Sequence, residues 1–201
     1  MSNNTIFENV HLGINVEVEE YCVIGHKLRD GSQPPLSIGN NTLVRSNSII
    51  YSGTNIGHDF QTGHGVLIRE NCEIGNNVRV GSHTVIENNV SIEDGVRIHS
   101  NCFIPQFTII KKNAWIGPGV IMVNDPHPPL AQDMVGPIIG QNAKVGAGVV
   151  LLDHLEIGEN SLIGAGTVVI RNVSKNVVIT SKIDYNSGKI QSLKDNPYGI
   201  K

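Results

Sequence analysis

The residues best suited to chemistry in this chain are a row of histidines and a row of corners without side chains. His64, His83 and His99 sit in Gly63-His64-Gly65, Gly81-Ser82-His83 and His99-Ser100-Asn101, three tripeptides that recur every 18 residues. Gly117-Pro118-Gly119, Gly146-Ala147-Gly148 and Gly164-Ala165-Gly166 have the same form with no histidine. An imidazole titrates near neutrality, so any of these rings can take a proton from an attacking nucleophile. Corners of Gly and Ala let a long, thin ligand lie on the backbone and pair its amides with exposed peptide groups. Plainer readings stand beside both. A corner histidine can be a solvated stacking residue, and a corner Gly can serve turn geometry alone. His127 is a further candidate, held extended by the prolines of VNDPHPPLAQDMVGPI.

The element that must position these groups is a comb with a period of six. Every sixth residue from Ile38 to Met122 is aliphatic or Met, with Thr62 the single exception. A smaller column lies four residues after each tooth, from Thr42 and Ser48 to Ala114 and Val120. Neither a helical period of 3.6 nor strand alternation makes that comb, whereas stacked hexapeptide rungs do. The expected fold is therefore all-β, a hexad parallel β-helix of about eight coils, three hexads per coil. At the sheet spacing this is a prism roughly 40 Å tall. Residues 18 apart then stack on one edge, which places the three histidines and the Gly/Ala track together.

The comb runs in another phase through Ile6, Leu12, Val18 and Ile24, and in a third from Ile139 to Val169. Polar, Gly- and Pro-punctuated interruptions at 25–37 and 123–138 read as loops thrown out of the solenoid. The repeat region is expected over 1–175, with 176–201 as a C-terminal capping tail that hides a strand edge. The second edge carries Tyr51-Ser52-Gly53, Arg69-Glu70-Asn71, Glu87-Asn88-Asn89 and Pro105-Gln106-Phe107. The third holds mixed charge, looks like a solvated face, and makes His58 incidental.

Composition narrows the field. A net charge of −3 gives no reason to expect nucleic acid or an anionic membrane as partner. Aromatics are only 4% and glycines number 22, which suits a narrow interior of branched aliphatics. Cys22, Cys72 and Cys102 all fall on the small inward column, so buried core thiols are expected. No apolar run approaches the roughly 18 residues of a membrane span, and a cytoplasmic protein is expected.

The units IGNNTL, IGNNVRV, VGAGVV, IGENSL and IGAGTVV resemble those of hexapeptide-repeat acyltransferases, over nearly the whole chain. TGHGVLIRENCEIG, VIENNVSIEDGVRIHSNCFIP and AWIGPGVIMVNDPHPP look like the sugar acetyltransferases of surface-polysaccharide biosynthesis, above all those acting on the amine of a nucleotide-linked amino sugar. The resemblance implies a left-handed β-helix, acetyl-CoA as cosubstrate, no metal, and a homotrimer with active sites between subunits. On that footing Gly117, Gly119, Gly146, Ala147, Gly164 and Ala165 would line the pantetheine arm. Arg171, Lys175 or Lys144 would meet its pyrophosphate, and a Gly117–Gly119 amide the thioester oxygen. His83 and His64 would supply the base, with His127 the rival because the family often works a histidine near this loop. Arg69, Glu70, Glu87, Asn88 and Asn89 would contact the sugar or its nucleotide, although Asn88 and Asn89 equally suit ordinary left-handed corners. Where relatives end in a Gly-Asn-Pro-Ala-type motif, this chain has VITSKIDYNS. Two rival classes use the same fold. A γ-carbonic-anhydrase-like zinc lyase needs a second histidine five residues after His64, where Arg69 stands. A non-catalytic solenoid scaffold has no need of the histidine edge or the Pro-rich loop.

Overall fold

The computed structural model describes residues 3–130 and 132–181. Its strands are mostly two residues long because each hexad must turn a corner before the next begins. They stack into three parallel sheets of nine, eight and nine strands. Sheet 1 runs Thr5–Ile6, Val23–His26, Ile49–Tyr51, Leu67–Ile68, Val85–Ile86, Phe103–Ile104, Ile121–Met122, Val150–Leu151 and Val168–Val169. Sheet 2 begins at Val10–Leu12 and ends at Glu156–Ile157; sheet 3 runs from Glu17–Val18 to Val178–Ile179. The coil is the parallel β-helix that the comb implies, with the left hand that the family resemblance implies. The repeat thus continues past residue 175, and the expected tail lies outside the described residues from 182 onward.

Both columns point inward. The teeth Ile50, Ile68, Ile86, Ile104, Ile110 and Ile116 are fully buried, as are Val44, Val145 and Ile157. Thr62, the gap in the large column, follows two residues after Phe60, the one aromatic of the small column, and both are buried. A large side chain at a small site and a small one at a large site conserve local volume. Among the described residues none packs beneath the first coil, where Ile6 and Leu12 are 47% and 41% exposed.

Polar members of the small column pair with the chain itself. Thr54 Oγ1 donates to the Arg69 carbonyl at 2.9 Å and Thr84 Oγ1 to the His99 carbonyl at 2.8 Å. The thiols of Cys22, Cys72 and Cys102 do the same toward Arg45, Glu87 and Gly117 at 3.2, 3.1 and 3.2 Å. Hydroxyl and thiol are tolerated inside because each spends its proton on a corner carbonyl, of the next coil in these cases and of the same coil for Thr42, Thr108, Ser161 and Thr167.

The last residue of nearly every corner adopts the left-handed conformation. Asn47, Gly65, His83, Asn101, Gly119, Gly148 and Gly166 have φ between 58° and 70° on the edge between sheets 3 and 1. Asn and Gly dominate because other residues pay about 1–2 kcal/mol there. Both interruptions leave from one edge, that between sheets 1 and 2: residues 27–35 and 123–137 separate a sheet 1 strand from the following sheet 2 strand.

Burial pushes the Cys72 thiol up to about 12 and raises those of Cys102 and Cys22 as well. Ellman's reagent at pH 8 should therefore find no reactive thiol in the folded protein, and three after unfolding in guanidinium. A thiol that reacts without denaturant would show that the core column opens locally.

Candidate active site

The edge between sheets 3 and 1, the histidine edge, holds every member of the row in the expected order. The 123–137 excursion replaces a corner of another edge, so Trp115 pairs with Lys144 and the Gly117 corner is followed directly by that of Gly146. Among the described residues the three rings make no ring contact with one another, however. His99 takes the first corner position, His64 the middle and His83 the last. His99 packs edge-on against Trp115 of sheet 3, ring centroids 4.8 Å apart. His64 Nδ1 lies 2.8 Å from Ser46 Oγ, and its backbone N–H donates to Ser82 Oγ at 3.0 Å. His83, with φ 58°, stands on the sheet 1 side and fills the space above Gly65, where an added Cβ would come 2.8 Å from its Nδ1. Below them Arg45 and the Ser46 N–H bind Glu19, and the Ser46 bond foremost holds that carboxyl below its usual range.

Above the histidines the track divides by physical cause. Gly117 and Gly146 are dictated by packing, since a Cβ would meet the next coil's backbone at 2.7 and 2.6 Å. Gly119 and Gly148 have open space around them and are there for their φ of 67° and 64°. Pro118, Ala147 and Ala165 occupy the exposed middle positions between.

One expected donor is absent. The Gly117 N–H bonds the Val145 carbonyl, the Gly119 N–H bonds the Ser100 carbonyl, and Pro118 has none, so this corner cannot polarise a thioester. At two lower corners of this edge the middle N–H is capped by a side chain, Ser46 by Glu19 and His64 by Ser82. From Ser82 upward no middle N–H on the edge is so capped among the described residues, and those of Ala147 and Ala165 are the open donors between the glycines. Beside them Trp115, Lys144, Leu162 and the Gly146, Gly164 and Ala165 corners line a depression of about 470 Å³.

The edge between sheets 1 and 2, the loop edge, is polar and built. Arg69 chelates Glu70 through Nε and Nη2 at 3.0 and 2.9 Å, reaches Glu87 at 3.4 Å, and stacks its guanidinium 5.6 Å from the Tyr51 ring centre. Asn88 accepts from Gln106 Nε2. Asn89 is a left-handed corner with φ 57° whose N–H donates to the Glu70 carbonyl, the bland reading of that residue. His127 stands exposed in the loop, its N–H on Asp125 Oδ1 at 2.9 Å. His58 Nδ1, on the third edge, accepts from the Asn40 N–H and is structural.

Of the cations offered to the pyrophosphate, Arg171 follows Val168–Val169 and lies on the loop edge, and Lys175 lies on the third edge. Lys144 alone adjoins the track. Three histidines were not among the candidates, and His11 lies on the Val10–Leu12 strand of sheet 2. His26 stacks on Tyr51 at 4.6 Å, and His154 pairs with Asp153 on the loop edge at 2.8 Å. Counting corners onward past the second interruption would have placed both members of that pair. Also unread was the column one residue before each sheet 1 tooth: Val23, Ile49, Leu67, Val85, Phe103, Ile121, Val150 and Val168 stack in register and face outward. At the same position sheets 2 and 3 are mixed, with Asn55, Glu73 and Ser91 below Ile109 and Ile138 in one, and Gln61, Arg79 and Arg97 between Leu43 and Trp115 in the other.

Three parallel sheets wound from hexads, with side chains for chemistry borne on the corners, define a hexapeptide solenoid. The bacterial transferase hexapeptide (six repeats) matches residues 53–88, 71–106 and 136–171, and the hexapeptide repeat of succinyl-transferase matches 35–60. Together they span more than half of the sequence, and the chain belongs to the hexapeptide-repeat transferase family. No curated protein matches it by sequence. Among solved structures, LpxA from Acinetobacter baumannii is 18% identical, with TM-score 0.57, covering 90% of this chain and 70% of that one. The UDP-N-acetylglucosamine acyltransferase from Campylobacter jejuni is also 18% identical, with TM-score 0.52 and coverage of 89% and 69%. The acetyltransferase domain of PglB from Neisseria gonorrhoeae, solved with acetyl coenzyme A, is 14% identical, with TM-score 0.43 and coverage of 67% and 55%. Among the described residues no three His, Cys, Asp or Glu side chains group to hold a metal ion, and no helix is long and apolar enough to cross a membrane.

The side chains of Glu70 and Glu87 are only 12% and 23% exposed, and Arg69 neutralises both. Arg69→Met should cost about 1–3 kcal/mol in urea unfolding near pH 7. Arg69→Lys, which keeps the positive charge between the two carboxylates, should recover part of that loss. An equal deficit in both variants would show that the charge is not what matters.

Proposed function

We propose that this chain is an acyltransferase that moves an acetyl group from acetyl-CoA to the amino or hydroxyl group of a sugar, in the first place a nucleotide-linked one. It works as a homotrimer with its active sites between subunits. One observation carries the reading: a track of small residues with unpaired amides borders a sheet face that is apolar over eight successive coils. The column from Val23 to Val168 is the kind of continuous apolar surface that a soluble chain covers with a partner. Three copies meeting through sheet 1 about a three-fold axis parallel to the solenoid satisfy it. Each histidine edge then faces the loop edge of a neighbour, coil for coil at equal height. The Gly/Ala track of one copy would face the 123–137 loop of the next, and His64 and His83 would face Arg69 and Glu87.

On this reading the pantetheine arm lies along Gly117, Gly119, Gly146, Ala147, Gly164 and Ala165. Lys144 and Trp115 flank its course on the sheet 3 side. The Ala147 N–H donates to the thioester oxygen as the carbonyl carbon becomes tetrahedral. The sugar occupies the lower part of the cleft, between the histidines and the neighbour's Arg69-Glu70 and Glu87. The Campylobacter jejuni enzyme uses the same fold on a nucleotide sugar, and such compounds are the first acceptors to try.

Incubation with acetyl-CoA and a panel of amino-sugar nucleotides should release free thiol, with mass spectrometry finding an acetylated sugar. Purified protein with stoichiometric zinc and no thiol release would favour the lyase, and failure to bind any acyl-CoA would favour the scaffold. Light scattering should give three times the chain mass of 21.7 kDa. Ile121→Glu, in the middle of the apolar face, should yield monomers with at least tenfold lower activity. A monomeric wild type with full turnover would overturn the interfacial site.

A further inference from the structure

The outer face of sheet 3 carries two arginines with no counter-charge among the described residues. Arg79 and Arg97 stack in register on the strands Arg79–Val80 and Arg97–Ile98, with Gln61 below them on the same column. Like charges side by side on neighbouring strands repel. The Arg97 guanidinium is nevertheless held in place, its Nη1 donating to the Asn77 carbonyl at 2.6 Å. Burial first, and then the charge of Arg79, hold its pKa below the ordinary arginine value. The ion pairs of the described residues engage Arg45, Arg69 and Lys112 and leave this pair out. The two arginines line a groove of about 350 Å³ with Gln61, Gly81, His99 and Ser100, and no Asp or Glu borders it.

The groove's place matters as much as its charge. The strands that form its floor run directly into the corners of His64, His83 and His99, so it lies beside the histidine row at equal height. At the middle of the last of these corners the Ser100 N–H meets no acceptor among the described residues and adds an open donor. Gly81 keeps the approach clear, since a Cβ there would run into the Ser100 nitrogen. One strand above Arg97, in register, stands Trp115, the chain's only tryptophan. Two guanidinium forks on strands about 4.8 Å apart, with a peptide N–H beside them, match the paired phosphoryl groups of a diphosphate better than a single carboxylate. We propose that the Arg79–Arg97 groove binds the diphosphate of the nucleotide-linked acceptor and so leaves its sugar beside His83 and His99; this rests on the transferase reading above. Arg79 and Arg97 are binding residues and take no part in proton transfer.

The test uses the full-length protein, and its first part needs no turnover. Titration calorimetry should detect binding of UDP and of inorganic pyrophosphate but not of uridine, with Trp115 fluorescence changing over the same range. Arg79→Ala and Arg97→Ala should keep the wild-type oligomeric mass and weaken UDP at least about tenfold, and Arg97→Lys should lose less than Arg97→Ala. UDP binding should also weaken as sodium chloride rises. In turnover, Arg79→Ala should raise KM for the nucleotide sugar about tenfold while kcat and KM for acetyl-CoA stay within about twofold of wild type. A rise in KM for acetyl-CoA alone would give the groove to the coenzyme's own diphosphate and overturn its assignment to the acceptor. No binding of either probe, or wild-type UDP affinity in both alanine variants, would overturn the site and leave the transferase to stand on its turnover. UDP binding that needs both arginines, in a protein that acetylates no nucleotide sugar, would remove the transferase reading and the acceptor with it while the diphosphate site stands.

Discussion

Everything in this structure depends on how one corner rests on the next. The last residue of each corner turns left-handed and sends its N–H to the middle carbonyl of the corner below, as His83 does to His64, Asn101 to Ser82 and Gly119 to Ser100. That bond, repeated with the strand ladders, fixes a single pitch for the coil and leaves nowhere for a residue to slip. Height along the prism therefore becomes a direct function of sequence number. A one-residue shift would turn every buried tooth outward, a far larger loss than any single contact could offset.

Against that regularity the departures stand out. Several lower corners spend their middle N–H on a side chain: Asp94 caps Asn76 and Asn76 caps His58 on the third edge, and Ser82 caps His64 on the histidine edge. At Ala147 and Ala165 no side chain does so among the described residues, and the backbone between the glycines is left bare. The glycines around them have two origins, packing at Gly117 and Gly146 and backbone angle at Gly119 and Gly148. Turn geometry explains the glycines, but it does not explain why the residues between them are Pro and Ala.

The two edges flanking sheet 1 differ in character. The histidine edge is spare, with rings that make few contacts above a Glu19–Arg45–Ser46 cluster. The loop edge is dense: Arg69 serves two carboxylates and a tyrosine, Gln106 holds Asn88, and Asp153 orients His154. Dense networks fix side-chain positions, and bare backbone admits a substrate. An apolar face between two such edges brings a built edge against an open one when identical copies close a ring.

The sequence by itself determined the coil, its three edges and the residents of each, because a six-residue comb admits one register and the stacking of every third hexad follows from it. The histidine row, the Gly/Ala track, the buried thiols and the place of His58 on a separate edge were all legible in this way. The tertiary structure alone decided what each corner residue does. His64, His83 and His99 share an edge but occupy different positions on the turn and have different partners, Ser46, Gly65 and Trp115. Arg171 proved to be an edge away from the track, and the Gly117–Gly119 amides are already bonded. The pairing of His154 with Asp153 and the apolar outer face of sheet 1 came to light in the same way. The reason is physical: burial repeats along the chain and can be counted, whereas the direction of an exposed side chain and the partner of an N–H depend on neighbours one coil away.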